Sequence, residues 1–97
     1  MSAEHDTRPS LLFFYSPRSG HSRRTEGYIA QVLQAGRNHE TFRQVRISMD
    51  DRPEFAQALE VDADPTILVI EDRQVQRRLV RPRGVPAIRE GLADWLR

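Results

Sequence analysis

Two uninterrupted apolar segments constrain the fold of this 97-residue chain more than any other feature. Residues 11–15 read Leu-Leu-Phe-Phe-Tyr, and residues 66–70 read Thr-Ile-Leu-Val-Ile. Each segment has the length of a strand but no polar side to turn towards water, which is typical of strands that are covered on both faces. The sequence therefore predicts an α/β domain with helices on both faces of a sheet.

The segment between these two strands predicts a long helix and a further strand. Apolar residues recur at helical spacing over about residues 20–35, and residues 36–38 are a plausible stop for that helix. Residues 42–49 alternate between apolar and polar side chains, which is the period of a strand.

The second half of the chain predicts a short helix, a hairpin and a terminal helix. Asp51 is expected to cap the short helix, with Glu54 returning the capping bond. The polar residues 71–74 can turn a hairpin into an arginine-rich edge strand over residues 75–80, and apolar spacing over residues 88–96 predicts a helix that docks on the sheet. Two right-handed crossovers followed by the hairpin then give a four-stranded mixed sheet.

The length of the chain suits one domain. Residues 1–10 are polar and are expected to form a flexible arm before a domain that spans residues 11–97. Because the arm contains no apolar stretch that could be a signal peptide or a membrane span, we expect a cytoplasmic protein that does not contact membranes.

The chain contains no cysteine. This absence excludes disulfide bonds, thiolate catalysis, cysteine-ligated zinc and iron-sulfur clusters. His5 and His39 do not form a metal-ligand spacing with Asp50 or Asp51, so the sequence predicts neither a metal site nor a cofactor.

Arginine supplies all fifteen basic residues, but the formal net charge is only +1. The arginines concentrate beside residues 19–22 and over residues 73–89. The carboxylates expected to neutralise part of the second cluster are those of Asp62, Asp64, Glu71, Asp72 and Glu90. A nucleic-acid or phosphate-binding face is therefore an alternative, but a solvated edge is favoured over it.

The order of elements, read with two short motifs, resembles the thioredoxin superfamily. The motif Ser19-Gly20-His21-Ser22 follows the first apolar strand, and Asp64-Pro65-Thr66 precedes the second. The resemblance covers nearly all of residues 11–96 and implies a thioredoxin-like fold, a four-stranded mixed sheet with helices on both faces. Ser19 and Ser22 stand at the positions of the two redox-active cysteines, Gly20 matches the glycine between them, and His21 replaces a proline.

Other residues that support thioredoxin chemistry are replaced as well. Phe13 stands at the position of a buried acid, and Arg18 stands where a tryptophan precedes the first cysteine. Gly27 falls at the position of a proline that kinks the family's helix, whereas Pro65 matches the cis-proline that faces the active turn. The resemblance therefore implies a protein that keeps the peptide groove but is not an enzyme of disulfide exchange.

The favoured hypothesis is a redox-inactive module that binds an extended, acidic segment of a protein partner. The residues of the predicted groove are Arg18, Ser19, His21, Asp64, Pro65, Thr66, Arg81 and Arg83. Arg81 stands where many thioredoxins have a glycine. An alternative from another class is a protein that binds glutathione or an anion through Ser19 at a helix N-terminus, although serine also fills that position as a simple helix cap.

Overall fold

The structure is a computed structural model that describes residues 7–97, and each predicted helix and strand is present. The four strands are β1 (Ser10–Tyr15), β2 (Arg43–Ser48), β3 (Thr66–Glu71) and β4 (Gln74–Val80). The three helices are α1 (Gly20–Ala35), α2 (Pro53–Ala58) and α3 (Val85–Gly91). Residues 1–6 of the predicted arm lie outside the described residues, and Ser10, its last residue, begins β1. None of the described helices is long and apolar enough to cross a membrane.

The strands form one sheet in the order β2-β1-β3-β4. β1 pairs in parallel with β2 and antiparallel with β3, and β3 forms a hairpin with β4. The prediction of a mixed sheet is confirmed. The prediction of a second right-handed crossover is wrong, because β3 runs antiparallel to β2. The six residues of α2 span about 9 Å, and β3 begins at the same end of the sheet where β2 ends, since Ile47 and Thr66 both pair with Phe14.

The two faces of the sheet build two separate cores. Leu11 and Phe13 of β1 pack with α1 and α3, whereas Leu12 and Phe14 pack with α2 on the other face. β1 is a central strand with a helix layer on each face, so the side chains that point to either face are buried. This arrangement accounts for the uninterrupted apolar run at residues 11–15.

The start of α2 differs from the prediction. Arg52, rather than Asp51, is the N-cap residue, and its side chain makes no capping bond. The hydroxyl of Ser48 instead accepts the backbone N–H of Asp51 at 3.3 Å, so the chain is already turned before the helix begins. Pro53 then occupies the first turn, where its missing N–H costs no hydrogen bond.

The C-terminal residues are anchored beyond the last helix. α3 ends at Gly91, earlier than the apolar spacing predicted, but Trp95 and Leu96 still pack against the core beneath α1 and α3. The side-chain oxygen of buried Asn38 accepts the backbone N–H of Arg97 at 3.0 Å. The chain end is therefore fixed beside the C-terminal end of α1.

Candidate functional site

Ser19 begins α1 as its N-cap residue. Its backbone is extended, with φ −101° and ψ 121°, and its hydroxyl accepts the backbone N–H of Ser22 at 3.1 Å. The carbonyl of Ser19 also accepts the backbone N–H of Arg23 at 3.2 Å. The structure thus gives Ser19 the capping role that serine commonly has at this position.

Ser22 connects the turn to the loop before β3. Only 2% of Ser22 is exposed, and its hydroxyl donates to the carboxylate of Asp64 at 3.2 Å. The same oxygen accepts the backbone N–H of Ser16 at 3.1 Å. The residue that stands at the second cysteine position is therefore hydrogen-bonded on both sides.

His21 and Arg81 connect the third predicted segment to the other two. Nε2 of His21 lies 3.0 Å from the carbonyl oxygen of Pro82, and because a carbonyl only accepts, this nitrogen carries the proton. The backbone N–H of Arg81 donates to the carbonyl of Pro65 at 2.8 Å. Arg81 has a φ of 50°, a left-handed conformation that suits glycine better than residues with a Cβ.

These bonds join residues 18–22, 64–66 and 81–83 into one area, which we call the three-segment surface. The Asp64–Pro65 peptide bond is cis, and buried Thr66 donates its hydroxyl proton to the carbonyl of Ala63 at 2.6 Å. The hydrogen bonds connect the turn to Asp64 and Pro82, and Arg81 to Pro65, so the three segments of the predicted groove lie beside one another. Pro82 was not among the residues of the predicted groove, although it stands between Arg81 and Arg83 in the sequence.

The rim of the three-segment surface is positively charged. The side chains of Arg81 and Arg83 are exposed and form no ion pair within residues 7–97. Arg18 lies 3.7 Å from Asp50, but its side chain is 87% exposed, so water and salt screen that pair strongly. The nearest acid of the surface itself, Asp64, already accepts the Ser22 hydroxyl.

The backbone of Asp64 is open for pairing. Within the described part of the chain, neither its N–H nor its carbonyl forms a hydrogen bond. Asp64 is half-buried, and Pro65 after it is buried. Unpaired backbone groups at such a place need partners, and an extended peptide can supply both a donor and an acceptor.

The surface carries no group that could act as a nucleophile in disulfide exchange. Phe13, at the position of the family's buried acid, is a buried aromatic residue whose ring stacks on Tyr15 with 5.7 Å between the centroids. Among residues 7–97, no group of three or more side chains could hold a metal ion.

Arg77, in the second arginine cluster, is engaged within the domain. It forms an ion pair with Asp94 at 2.5 Å, and its guanidinium lies 4.9 Å from the centroid of the Trp95 ring. It also donates to the carbonyl of Gly91 at 2.5 Å. The acid that pairs with Arg77 was not among the five carboxylates that the sequence suggested.

Arg78 points to the opposite face of the sheet. Its guanidinium donates to the carbonyls of Leu59 and Glu60, each at 3.1 Å. These carbonyls follow the last turn of α2, where a positive charge stabilises the helix. Arg77 and Arg78 thus hold β4 to the rest of the domain, which weakens the argument for a phosphate-binding edge.

Comparison with solved structures gives the fold. Trxlp from Edwardsiella tarda is 17% identical with a TM-score of 0.81, covering 99% of this chain and 89% of that one. Thioredoxin 3 from Saccharomyces cerevisiae mitochondria is 22% identical with a TM-score of 0.74, covering 96% and 84%. A Halobacterium salinarum thioredoxin is 17% identical with a TM-score of 0.79, covering 99% and 81%. No family model and no curated protein matches. The fold that the resemblance implied is confirmed.

Proposed function

We propose that this chain, a thioredoxin fold without cysteine, is a redox-inactive module that binds an extended segment of a protein partner on the three-segment surface. The observation that supports this function most directly is the open backbone of Asp64, whose N–H and carbonyl have no partner within residues 7–97. A bound segment pairs with these two groups by strand addition, in which main-chain bonds give affinity and neighbouring side chains give specificity.

Without cysteine thiols the three-segment surface cannot carry out disulfide exchange, and binding is the function that we propose for it. Disulfide exchange proceeds through a mixed disulfide that only a thiolate can form, and this chain has no cysteine. The hydroxyl of Ser19 caps α1, and the hydroxyl of Ser22 is bonded to Asp64 and to the backbone of Ser16. The two serines therefore support the shape of the surface, and no contact of Ser19 favours a role in binding glutathione.

The charge of the rim selects the partner. Arg81 and Arg83 are exposed cations on one side of the open backbone, and Arg18 is a weakly paired cation at the turn. Cations at a rim accelerate association with an acidic partner more than they change the stability of the fold. The segment that the surface binds is therefore acidic.

Charge reversal at the rim tests this function. We would immobilise the protein, capture partners from the native cell extract, and identify them by mass spectrometry. Arg18→Glu and Arg81→Glu should each lower the recovery of the specific partner, and the affinity of its purified form should fall by about tenfold. Arg89→Glu is the matched control, because Arg89 is exposed and lies near Gly36, at the far end of α1 from the turn.

The three variants distinguish binding on the three-segment surface from binding elsewhere on the domain. Circular dichroism must show that all three variants are folded. A partner that binds the wild-type protein and Arg89→Glu, but binds the two rim variants weakly, supports the proposal. Equal binding by all variants would place the partner elsewhere and refute it.

A further inference from the structure

β2 has a free edge with ordered backbone groups. It is the outermost strand on one side of the sheet, so the described residues place no strand beside its outer edge. The backbone N–H of Arg43 donates to Pro9 at 2.9 Å, and that of Met49 donates to the end of β1, also at 2.9 Å. Because backbone groups alternate along a strand, those of Gln44 and Arg46 point outward.

Cavities open on both faces of the sheet beside this strand. On the side of α2, a cavity of about 490 Å³ is lined by Leu12, Val45 and Phe55 among other residues. On the side of α1, a cavity of about 170 Å³ is lined by Val45, Ile29 and Ala30 among others. Alternate side chains of a strand added at this edge would therefore enter opposite cavities.

The larger cavity is rich in cations. The charged residues that line it are Arg43, Arg46, Asp51 and Arg52. Arg46 pairs with Glu26 at 2.7 Å, and Arg52 pairs with Glu54 at 3.4 Å. Arg43 is exposed and forms no ion pair within residues 7–97, so an acidic side chain can pair with it without displacing another.

We propose that the outer edge of β2 accepts a protein segment of alternating apolar and acidic residues as a fifth strand of the sheet. Gln44 and Arg46 supply its backbone hydrogen bonds, and Arg43 pairs with its acidic side chain. A second copy of this chain fits poorly, because two such edges would bring two arginine-lined cavities together. None of these residues belongs to the three-segment surface, so the two binding sites are independent.

A short synthetic peptide of alternating valine and glutamate, with blocked ends, serves as the probe. Its binding is measured by fluorescence anisotropy, and the amide exchange of the protein is measured by NMR with and without it. The amides of Gln44 and Arg46 should exchange about tenfold more slowly when the peptide is bound. A peptide that is N-methylated at every residue should not bind, because neither of its edges can donate a hydrogen bond to β2.

Two variants locate the binding. Arg43→Glu should weaken binding of the peptide by about tenfold, whereas Arg89→Glu, which lies outside both binding sites, should leave it unchanged. An unchanged affinity in Arg43→Glu, protection only at Asp64 or along β4, or no binding of the peptide would each refute the proposal. Self-association in sedimentation that disappears in Arg43→Glu, or a single-stranded oligonucleotide that displaces the peptide from this edge, would also overturn it.

Discussion

Removal of the Ser22 hydroxyl tests whether hydrogen bonds hold the three-segment surface where thioredoxins carry sulfur. Ser22→Ala deletes an oxygen that accepts from the Ser16 backbone at 3.1 Å and donates to Asp64 at 3.2 Å. Ser22 is only 2% exposed, so water has little access to replace the lost oxygen. The substitution therefore breaks two bonds without a polar substitute.

The burial of the two hydrogen-bond partners of Ser22 determines how much the free energy of unfolding should fall. An unpaired N–H at Ser16 costs about 1 to 3 kcal/mol. Asp64 is half-buried and can recover a hydrogen bond from water, so its loss adds little. We expect Ser22→Ala to lower the free energy of unfolding by about 2 kcal/mol, which for a domain of this size lowers Tm by roughly 8 to 16 °C.

Urea unfolding provides the measurement, because Trp95 is the only tryptophan of the chain and reports on folding by its fluorescence. A double-mutant cycle of Ser22→Ala with Asp64→Ala isolates the bond between the two side chains, and we expect a coupling energy of about 0.5 to 1 kcal/mol. Ser19→Ala is the control. It should cost about 1 kcal/mol as a lost helix cap, and its effect should add to that of Asp64→Ala.

Two results would refute this reasoning. The first is a Ser22→Ala variant as stable as the wild-type protein, which would mean that the two bonds contribute nothing net. The second is strict additivity of Ser22→Ala and Asp64→Ala, which would mean that the turn and the loop are held by other contacts.

In a dithiol-driven insulin reduction assay, the protein should match the protein-free control, because no residue can form a mixed disulfide; turnover that persists through repurification would contradict this. Ser19→Cys combined with Ser22→Cys should close a disulfide under mild oxidation, since a bridge tolerates Cα separations of about 4.4 to 6.8 Å; two free thiols in a folded variant would mean that the turn is not thioredoxin-like. Gly27→Ala should raise the free energy of unfolding by about 0.5 to 1 kcal/mol, because Gly27 lies within α1 and no heavy atom lies within 4 Å of an added Cβ. Gly91→Ala should lower the free energy of unfolding by about 1 to 3 kcal/mol, because the added Cβ would lie 2.5 Å from the side chain of Leu79. If urea unfolding shows that both glycine variants change the free energy of unfolding in the same direction, the packing argument is contradicted.

The sequence was sufficient for the elements and the core because those depend on local patterns. The apolar run at residues 11–15 predicted a strand covered on both faces, and alternate residues do pack into two cores. The polar residues 71–74 predicted a hairpin, and Asp72 and Arg73 turn it with φ values of 55° and 65°. Such a two-residue turn needs positive φ angles, which aspartate adopts more readily than most residues.

The direction of β3 could not be predicted from the same patterns. An apolar strand has the same sequence pattern in a parallel and an antiparallel pairing, so the pattern alone does not predict the direction of β3. Asp51 failed as a cap for a related reason. The hydroxyl of Ser48, at the end of the preceding strand, accepts the backbone N–H of Asp51, and the helix then begins with Arg52 as its N-cap residue.

The contacts within the candidate site were also out of reach. Ser22 and Asp64 are separated by 42 residues, and His21 and Pro82 by 61. The resemblance placed these segments near one another, but hydrogen-bond partners depend on side-chain directions that the fold alone does not give. The same holds for Arg78, whose partners Leu59 and Glu60 follow α2 and stand 19 and 18 residues before it in the sequence.

The bond between Ser22 and Asp64 gives the surface a single state. A turn with two cysteines exists as a dithiol or as a disulfide, and its contacts differ between the two forms. A hydroxyl bonded to a carboxylate has no oxidised form of this kind. The redox potential of the surroundings therefore does not alter the shape of the three-segment surface. Under the proposed function, the occupancy of the three-segment surface therefore follows the concentrations of the two proteins and not the redox state of their surroundings.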